Sequence, residues 1–206
     1  MVIAGAGGHA MEVLDILISK NQAGEIVFFD EFRNQRYFEG KYPILKTEKE
    51  LKHHFLQDPR FILGTGNPKT RKKFYERFSD LGGNTIVLRG NGNLCSDTAS
   101  IETADIMNLC FVGPKVQIGR GTLINCGALV HHEVSVGEFC EIAPRAVLLG
   151  KVKLGDFVMV GSNATILPNV KIGNHVFIGA GAVIHKDVPD NVTIAGVPGK
   201  IIKFSE

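Results

Sequence analysis

Neither sign of charge dominates this chain. Lysine and arginine total 23 against 21 acidic residues, a formal net charge of +2. That balance argues against a generic nucleic-acid or membrane-surface binder, which carries a basic stripe. No apolar run approaches the ~18 residues of a membrane span. The stretch Met1 to Ala4 runs into a glycine turn with no basic segment before it. A secretory leader is therefore not expected, and the cytoplasm is the expected compartment. The first strand is short, which points to a start a few residues upstream. Cysteine is scarce: Cys95, Cys110, Cys126 and Cys140, with no CxxC spacing. That indicates neither a zinc nor a redox motif and leaves the thiols as small buried hydrophobes. No other motif requires a metal.

What is present is ordinary globular material, 44% apolar and 21% charged over 206 residues, enough for one large domain or two small ones. Two different periodicities divide it. Residues 1–95 alternate strand and helix. Strands are expected at Val2–Ala4, Ile26–Phe29, Phe61–Leu63 and Ile86–Leu88. Helices are expected over Ala10–Ser19, Thr47–Phe55 and from Asn67-Pro68 to Gly82. Thr47 with Glu50 forms a capping-box pattern. Asn67 and Pro68 read as N-cap and first helical residue, followed by a Phe74, Phe78, Leu81 stripe. The basic run Arg71-Lys72-Lys73 reads as a solvated helix face. This alternation implies a small parallel sheet.

From Ala104 the rule changes to fourteen consecutive hexads: ADIMNL, CFVGPK, VQIGRG, TLINCG, ALVHHE, VSVGEF, CEIAPR, AVLLGK, VKLGDF, VMVGSN, ATILPN, VKIGNH, VFIGAG and AVIHKD. Every third position is aliphatic, from Ile106 to Ile184. Every first position is Ala, Cys, Val or Thr. Such a phase describes a solenoid in which three hexads close one 18-residue coil and both positions point inward. Glycines that follow the aliphatic residue, such as Gly113, Gly137 and Gly155, are expected to hold positive φ. His132 falls two residues beyond inward Val130, on an outward corner, with Glu133 next to it. Gly150 lies 18 residues on. Cys126, Pro144, Ser162 and Ala180 form a second column of mostly small side chains, so the two columns border a channel. His175 and His185 read as surface corner residues.

Gly5-Ala6-Gly7-Gly8-His9-Ala10 fits G-x-G-x-x-[GA] between strand and helix, with Asp30 at the end of the second strand. Glycines there let a backbone approach phosphates at a helix N-terminus. One small α/β unit is slight for a whole dinucleotide site.

The hexads, the N-terminal GAGGHA, the HHE triplet and the closing GVPGK together make the chain resemble, over nearly its whole length, the hexapeptide-repeat acyltransferases. Within them it is similar to the family of sialic-acid O-acetyltransferases and bacillosamine-pathway (UDP-4-amino-sugar) N-acetyltransferases, which modify bacterial surface sugars, several of them as nucleotide-activated amino sugars. The resemblance implies an α/β N-terminal Rossmann-like small domain (1–95) followed by an all-β left-handed parallel β-helix (96–206). It implies acetyl-CoA as co-substrate, a nucleotide-sugar acceptor in bacterial surface glycan or glycoprotein biosynthesis, and a homotrimer with intersubunit sites. It implies His132 as general base oriented by Glu133. It implies Gly150, Ser162 and Ala180 on coenzyme A, with Lys200 near a coenzyme phosphate. Gly7, Gly8, His9, Asp30, Glu31 and Gly66 would hold the sugar nucleotide. Many relatives carry a second histidine nine residues after the base, near the acetyl carbonyl. Here that position is Glu141, which cannot donate a hydrogen bond while ionised. A backbone N–H would then serve the thioester oxygen, or Glu141 would meet the acceptor amine. O-acetylation of a sugar hydroxyl is the alternative activity, and a non-catalytic trimeric sugar-nucleotide scaffold the alternative of another class.

Overall fold

The computed structural model describes residues 1–204. It divides into two compact units, Met1–Leu88 and a second that begins at Arg89. Among the described residues no helix is long and apolar enough to cross a membrane.

The first unit has the order β1 (Val2–Ala4), α1 (Gly8–Ser19), β2 (Val27–Phe29), β3 (Tyr37–Phe38), β4 (Tyr42–Leu45), α2 (Glu48–Phe55), β5 (Arg60–Leu63), α3 (Pro68–Asp80) and β6 (Asn84–Thr85). The sheet order is β3-β4-β2-β1-β5-β6. All pairs are parallel except the β3–β4 hairpin. Central β1 is wholly buried, as a strand covered on both faces must be. Phe78 packs edge to face on Phe29, Phe55 and Phe61 beneath it at centroid distances of 5.2–5.8 Å. Both predicted caps form. Thr47 and Glu50 make a reciprocal capping box, and Asn67 accepts from Thr70 N.

Two expectations for this unit need correction, and one element is added. The last strand is Asn84–Thr85, paired with β5, and Ile86–Leu88 follows it without regular structure. The β3–β4 hairpin was not foreseen, because Tyr37–Leu45 lacks the alternation that marks a half-buried hairpin. Arg71 is fully buried rather than solvated. Its guanidinium donates to Thr65 O at 2.8 Å. Successive helical residues point about 100° apart, so one basic run serves three environments.

The second unit is a parallel β-helix of two-residue strands. One face stacks Leu94–Cys95, Phe111–Val112, Leu129–Val130, Val147–Leu148, Thr165–Ile166 and Val183–Ile184. The second stacks Ser100–Ile101, Gln117–Ile118, Ser135–Val136, Lys153–Leu154 and Lys171–Ile172. The third stacks Asp105–Ile106, Leu123–Ile124, Glu141–Ile142, Met159–Val160 and Phe177–Ile178, then Val192–Ala195 and the antiparallel Lys200–Phe204. Within the hexad array the register is 18 residues, for example Leu129↔Val147 and Val130↔Leu148, whereas Leu94 pairs with Phe111, Ser100 with Gln117 and Phe177 with Thr193 across shorter coils. First and third hexad positions form one continuous core. Pairing already starts at Leu94–Cys95, ahead of the hexad array and of residue 96.

The glycine expectation was assigned to the wrong position. Positive φ recurs at the sixth residue of the hexad, from Leu109 through Lys115, Glu133 and Lys151 to Gly181. Glycines at the fourth position have no positive φ. They are small because the next coil is close: a Cβ on Gly137 would lie 2.5 Å from Gly155 O, and one on Gly161 2.5 Å from Ala180 N.

Candidate functional site

In the first unit, the loops after β2, β1 and β5 line a cavity of about 470 Å³. This is the carboxyl edge of a parallel sheet, where open α/β folds place ligands. Gly5 turns the chain out of β1 with φ +106°. Gly7 caps α1 without any side-chain hydrogen bond, so the first N–H groups of the helix are not covered by a capping side chain. Gly7, Gly8, His9, Asp30, Glu31 and Gly66 all line this one cavity.

The acids are already engaged. Asp30 Oδ1 accepts from Phe32 N (2.9 Å) and Arg33 N (3.0 Å). Both Glu31 oxygens accept from Arg77, at 2.6 and 2.7 Å. Arg77 also donates to Glu48 at 2.7 Å and lies over the Phe29 ring. The Arg77 hydrogen bonds hold the Glu31 carboxyl below its ordinary pKa. His9 Nδ1 lies 3.2 Å from Glu12 Oε2. Sequence reasoning missed Phe32, Thr70 and Lys73, which share the lining. Lys73 carried a signal, the basic run, which concealed that only part of it faces solvent.

In the second unit, His132 stands on the corner between the first and second faces. Its carbonyl accepts from Lys151 N at 3.0 Å, and Glu133 N donates to Pro114 O at 2.9 Å. Glu133 has φ +58°, and this left-handed turn lets consecutive side chains meet: His132 Nδ1 lies 3.3 Å from Glu133 Oε1. An Nδ1–H donated to that carboxylate leaves Nε2 as the basic nitrogen. The imidazole lies over Gly150, where a Cβ would sit 2.4 Å from both Cε1 and Nε2. His131 packs on Phe111 at 5.5 Å between ring centroids. His175 stacks on Phe157, at 4.8 Å and 5°.

The second column also stacks, through Arg145 N to Cys126 O, Asn163 N to Pro144 O and Gly181 N to Ser162 O. It borders the opposite side of the first face from His132. Ser162 is half-buried and Ala180 exposed. Glu141 lies on the third face, in register between Leu123 and Met159. One chain therefore does not bring Glu141 to His132. Lys200 is exposed on the strand paired with Val192–Ala195. Asn125, another fourth-position residue read as a positive-φ site, is buried without positive φ; its Oδ1 accepts from Cys126 N at 2.8 Å. Among the described residues no cluster of histidine, cysteine or acidic side chains could hold a metal ion.

Residues 1–78 match the model of the PglD N-terminal domain, and residues 151–186 match that of the bacterial transferase hexapeptide, six repeats. The acetyltransferase domain of PglB from Neisseria gonorrhoeae, solved with acetyl coenzyme A, is 30% identical, with a TM-score of 0.88 over 98% of each chain. A mutant of perosamine N-acetyltransferase from Caulobacter crescentus, solved with CoA and GDP-perosamine, is 28% identical, with a TM-score of 0.89 over 98% of this chain and 96% of that one. WeeI from Acinetobacter baumannii shares the fold at 22% identity, with a TM-score of 0.87. A glycine-rich loop on a small parallel sheet, an unbroken hexad solenoid, and 30% identity over 98% of each chain agree, and the chain belongs to the hexapeptide-repeat acyltransferase family, with a PglD-type Rossmann-like domain ahead of a left-handed parallel β-helix.

Proposed function

We propose that this protein transfers the acetyl group of acetyl-CoA to the amino group of a nucleotide-activated amino sugar, for bacterial surface glycan or glycoprotein synthesis. The observation that carries the reading is the His132–Glu133 pair seated over Gly150. The neutral amine attacks the thioester carbonyl carbon, the C–S bond breaks, and coenzyme A leaves as the thiol. The proton lost by the amine passes to Nε2 of His132, whose tautomer Glu133 sets, and from there to the departing thiolate sulfur. Gly150, Ser162 and Ala180 border a strip of the first face that fits an extended pantetheine arm, and Lys200 offers a charge for a coenzyme phosphate. The N-terminal cavity holds the sugar nucleotide, with its phosphates at Gly7 and Gly8.

A trimer with intersubunit sites fits the prism. Its second face presents Gln117, Lys153 and Lys171 to solvent. Its third face exposes Phe177 (44%), and the closing strand exposes Ile202 (66%) and Phe204 (71%), apolar surface that suits another copy of the chain.

The test is release of free thiol from acetyl-CoA with a panel of nucleotide-linked 4-amino sugars and sialic acids. Turnover on an amino sugar is expected, and His132→Ala should lower kcat at least ~100-fold. Turnover only on hydroxyl acceptors would replace the amine by an alcohol. No turnover on any acceptor, or full activity in His132→Ala, would overturn the reading.

A further inference from the structure

Among the described residues Phe32 is the most exposed large apolar side chain, at 90%, and it stands in the lining of the N-terminal cavity. It does not hang from a slack loop. Asp30 accepts from the N–H groups of Phe32 and Arg33. Glu31, just before it, is held by two hydrogen bonds from Arg77. The Arg33 carbonyl, just after it, accepts from Lys46 Nζ. The turn is pinned on both sides of an aromatic ring that packs on little of its own chain. A ring held in this way gives up little conformational freedom when a ligand covers it.

The position of the turn says what that ligand offers. The cavity is built across three adjacent strands, β2, β1 and β5 in that order. The phosphate-type loop Gly7-Gly8 follows central β1. Thr70 and Lys73 lie on α3, which follows β5. Phe32 follows β2, on the other side of the glycine loop. One flank is thus cationic, the middle offers backbone N–H groups, and the opposite flank is a flat aromatic. A molecule with anionic groups in its middle and a planar ring at one end matches all three.

We infer that Phe32 is the platform on which the nucleobase of the sugar nucleotide stacks, and so a determinant of acceptor affinity. This rests on the reading that the acceptor is nucleotide-linked. It adds a residue outside the glycine loop and the acids.

Calorimetry on the full chain with UDP, GDP and inorganic pyrophosphate tests it. Phe32→Ala and Phe32→Leu should weaken UDP or GDP roughly 10-fold, the scale of one base–aromatic stack, and leave pyrophosphate unchanged. Phe32→Tyr should bind as the wild type does. The chain has no tryptophan, so Phe32→Trp installs a sole indole whose emission should be quenched by the nucleotide and not by pyrophosphate. If the wild type binds neither nucleotide, the nucleotide reading falls and this inference with it. If the wild type binds and Phe32→Ala binds equally well, the stacking role alone is wrong. Equal weakening of pyrophosphate, or a change in sedimentation in place of binding, would reassign Phe32 to cavity shape or to a protein contact and likewise overturn it.

Discussion

What a Cβ on Gly150 would meet is a side chain rather than the backbone. Its nearest neighbours are Cε1 and Nε2 of His132, each 2.4 Å from where a Cβ would stand. The imidazole is half-exposed, with 55% of the side chain accessible, so it can swing away instead of unfolding the coil. Gly150→Ala should therefore keep the melting temperature within about 2 °C, since the added Cβ meets only the movable end of an exposed side chain and no backbone. It should lower kcat roughly 10- to 100-fold, because a 1 Å error in a catalytic group is enough for such a loss. KM for acetyl-CoA and for the acceptor should hold. Steady-state kinetics beside a melting curve decide it. A raised KM at constant kcat would make Gly150 a wall of the coenzyme channel and nothing more.

Within the hexad, the fourth and sixth positions show how far the sequence could be read. The period, the aliphatic third position and the small first position were legible because burial acts on side-chain type directly. The capping box at Thr47 and the Asn67 cap were legible because a polar side chain answers a definite backbone donor. The glycines were misread because a glycine has two reasons to exist, positive φ and lack of a Cβ, and composition does not separate them. Arg71 and Phe32 stayed hidden for a related reason: burial of a cation and exposure of an aromatic both run against type. Of the candidate site, the acids and glycines of the first cavity and the His132 corner could be found; the partners already holding Asp30 and Glu31 could not. The two glycine roles predict opposite responses. On Gly137 a Cβ meets Asp156 Oδ1 at 2.4 Å as well as the Gly155 carbonyl, so Gly137→Ala should cost about 1–3 kcal/mol. Lys115 has φ +57°, where an L side chain costs about 1–2 kcal/mol. Lys115→Gly should then be neutral to slightly stabilising, since relief of strain offsets added unfolded-state entropy. Thermal melts of the two variants side by side test this, and a stable Gly137→Ala with a labile Lys115→Gly would reverse the assignment.

At the scale of the molecule, the separation of His132 and Glu141 is the fact with most consequence. One stands on the corner between the first and second faces and the other on the third, so no single coil can place both on one substrate. If Glu141 acts at all in acetyl transfer, it acts on the site of a neighbouring copy. Exposed Phe177 on the third face gives that neighbour an apolar side chain to cover, while Lys153 and Lys171 keep the second face wet. A closed ring of three heterologous contacts gives each subunit one such partner on either side. Sedimentation equilibrium should then report about three times the 22.4 kDa of one chain. Phe177→Asp should dissociate the assembly and remove activity, while Lys153→Glu should do neither. The decisive measurement is complementation. His132→Ala and Glu141→Ala should each be nearly inactive alone. Mixed as equal amounts of dissociated and reassembled subunits, they should recover about a quarter of wild-type activity, the share of contacts in which an intact His132 meets an intact Glu141. Recovery requires a site shared between chains. Two inactive parents that fail to complement would confine the site to one chain, and an active Glu141→Ala would remove that carboxylate from the chemistry altogether.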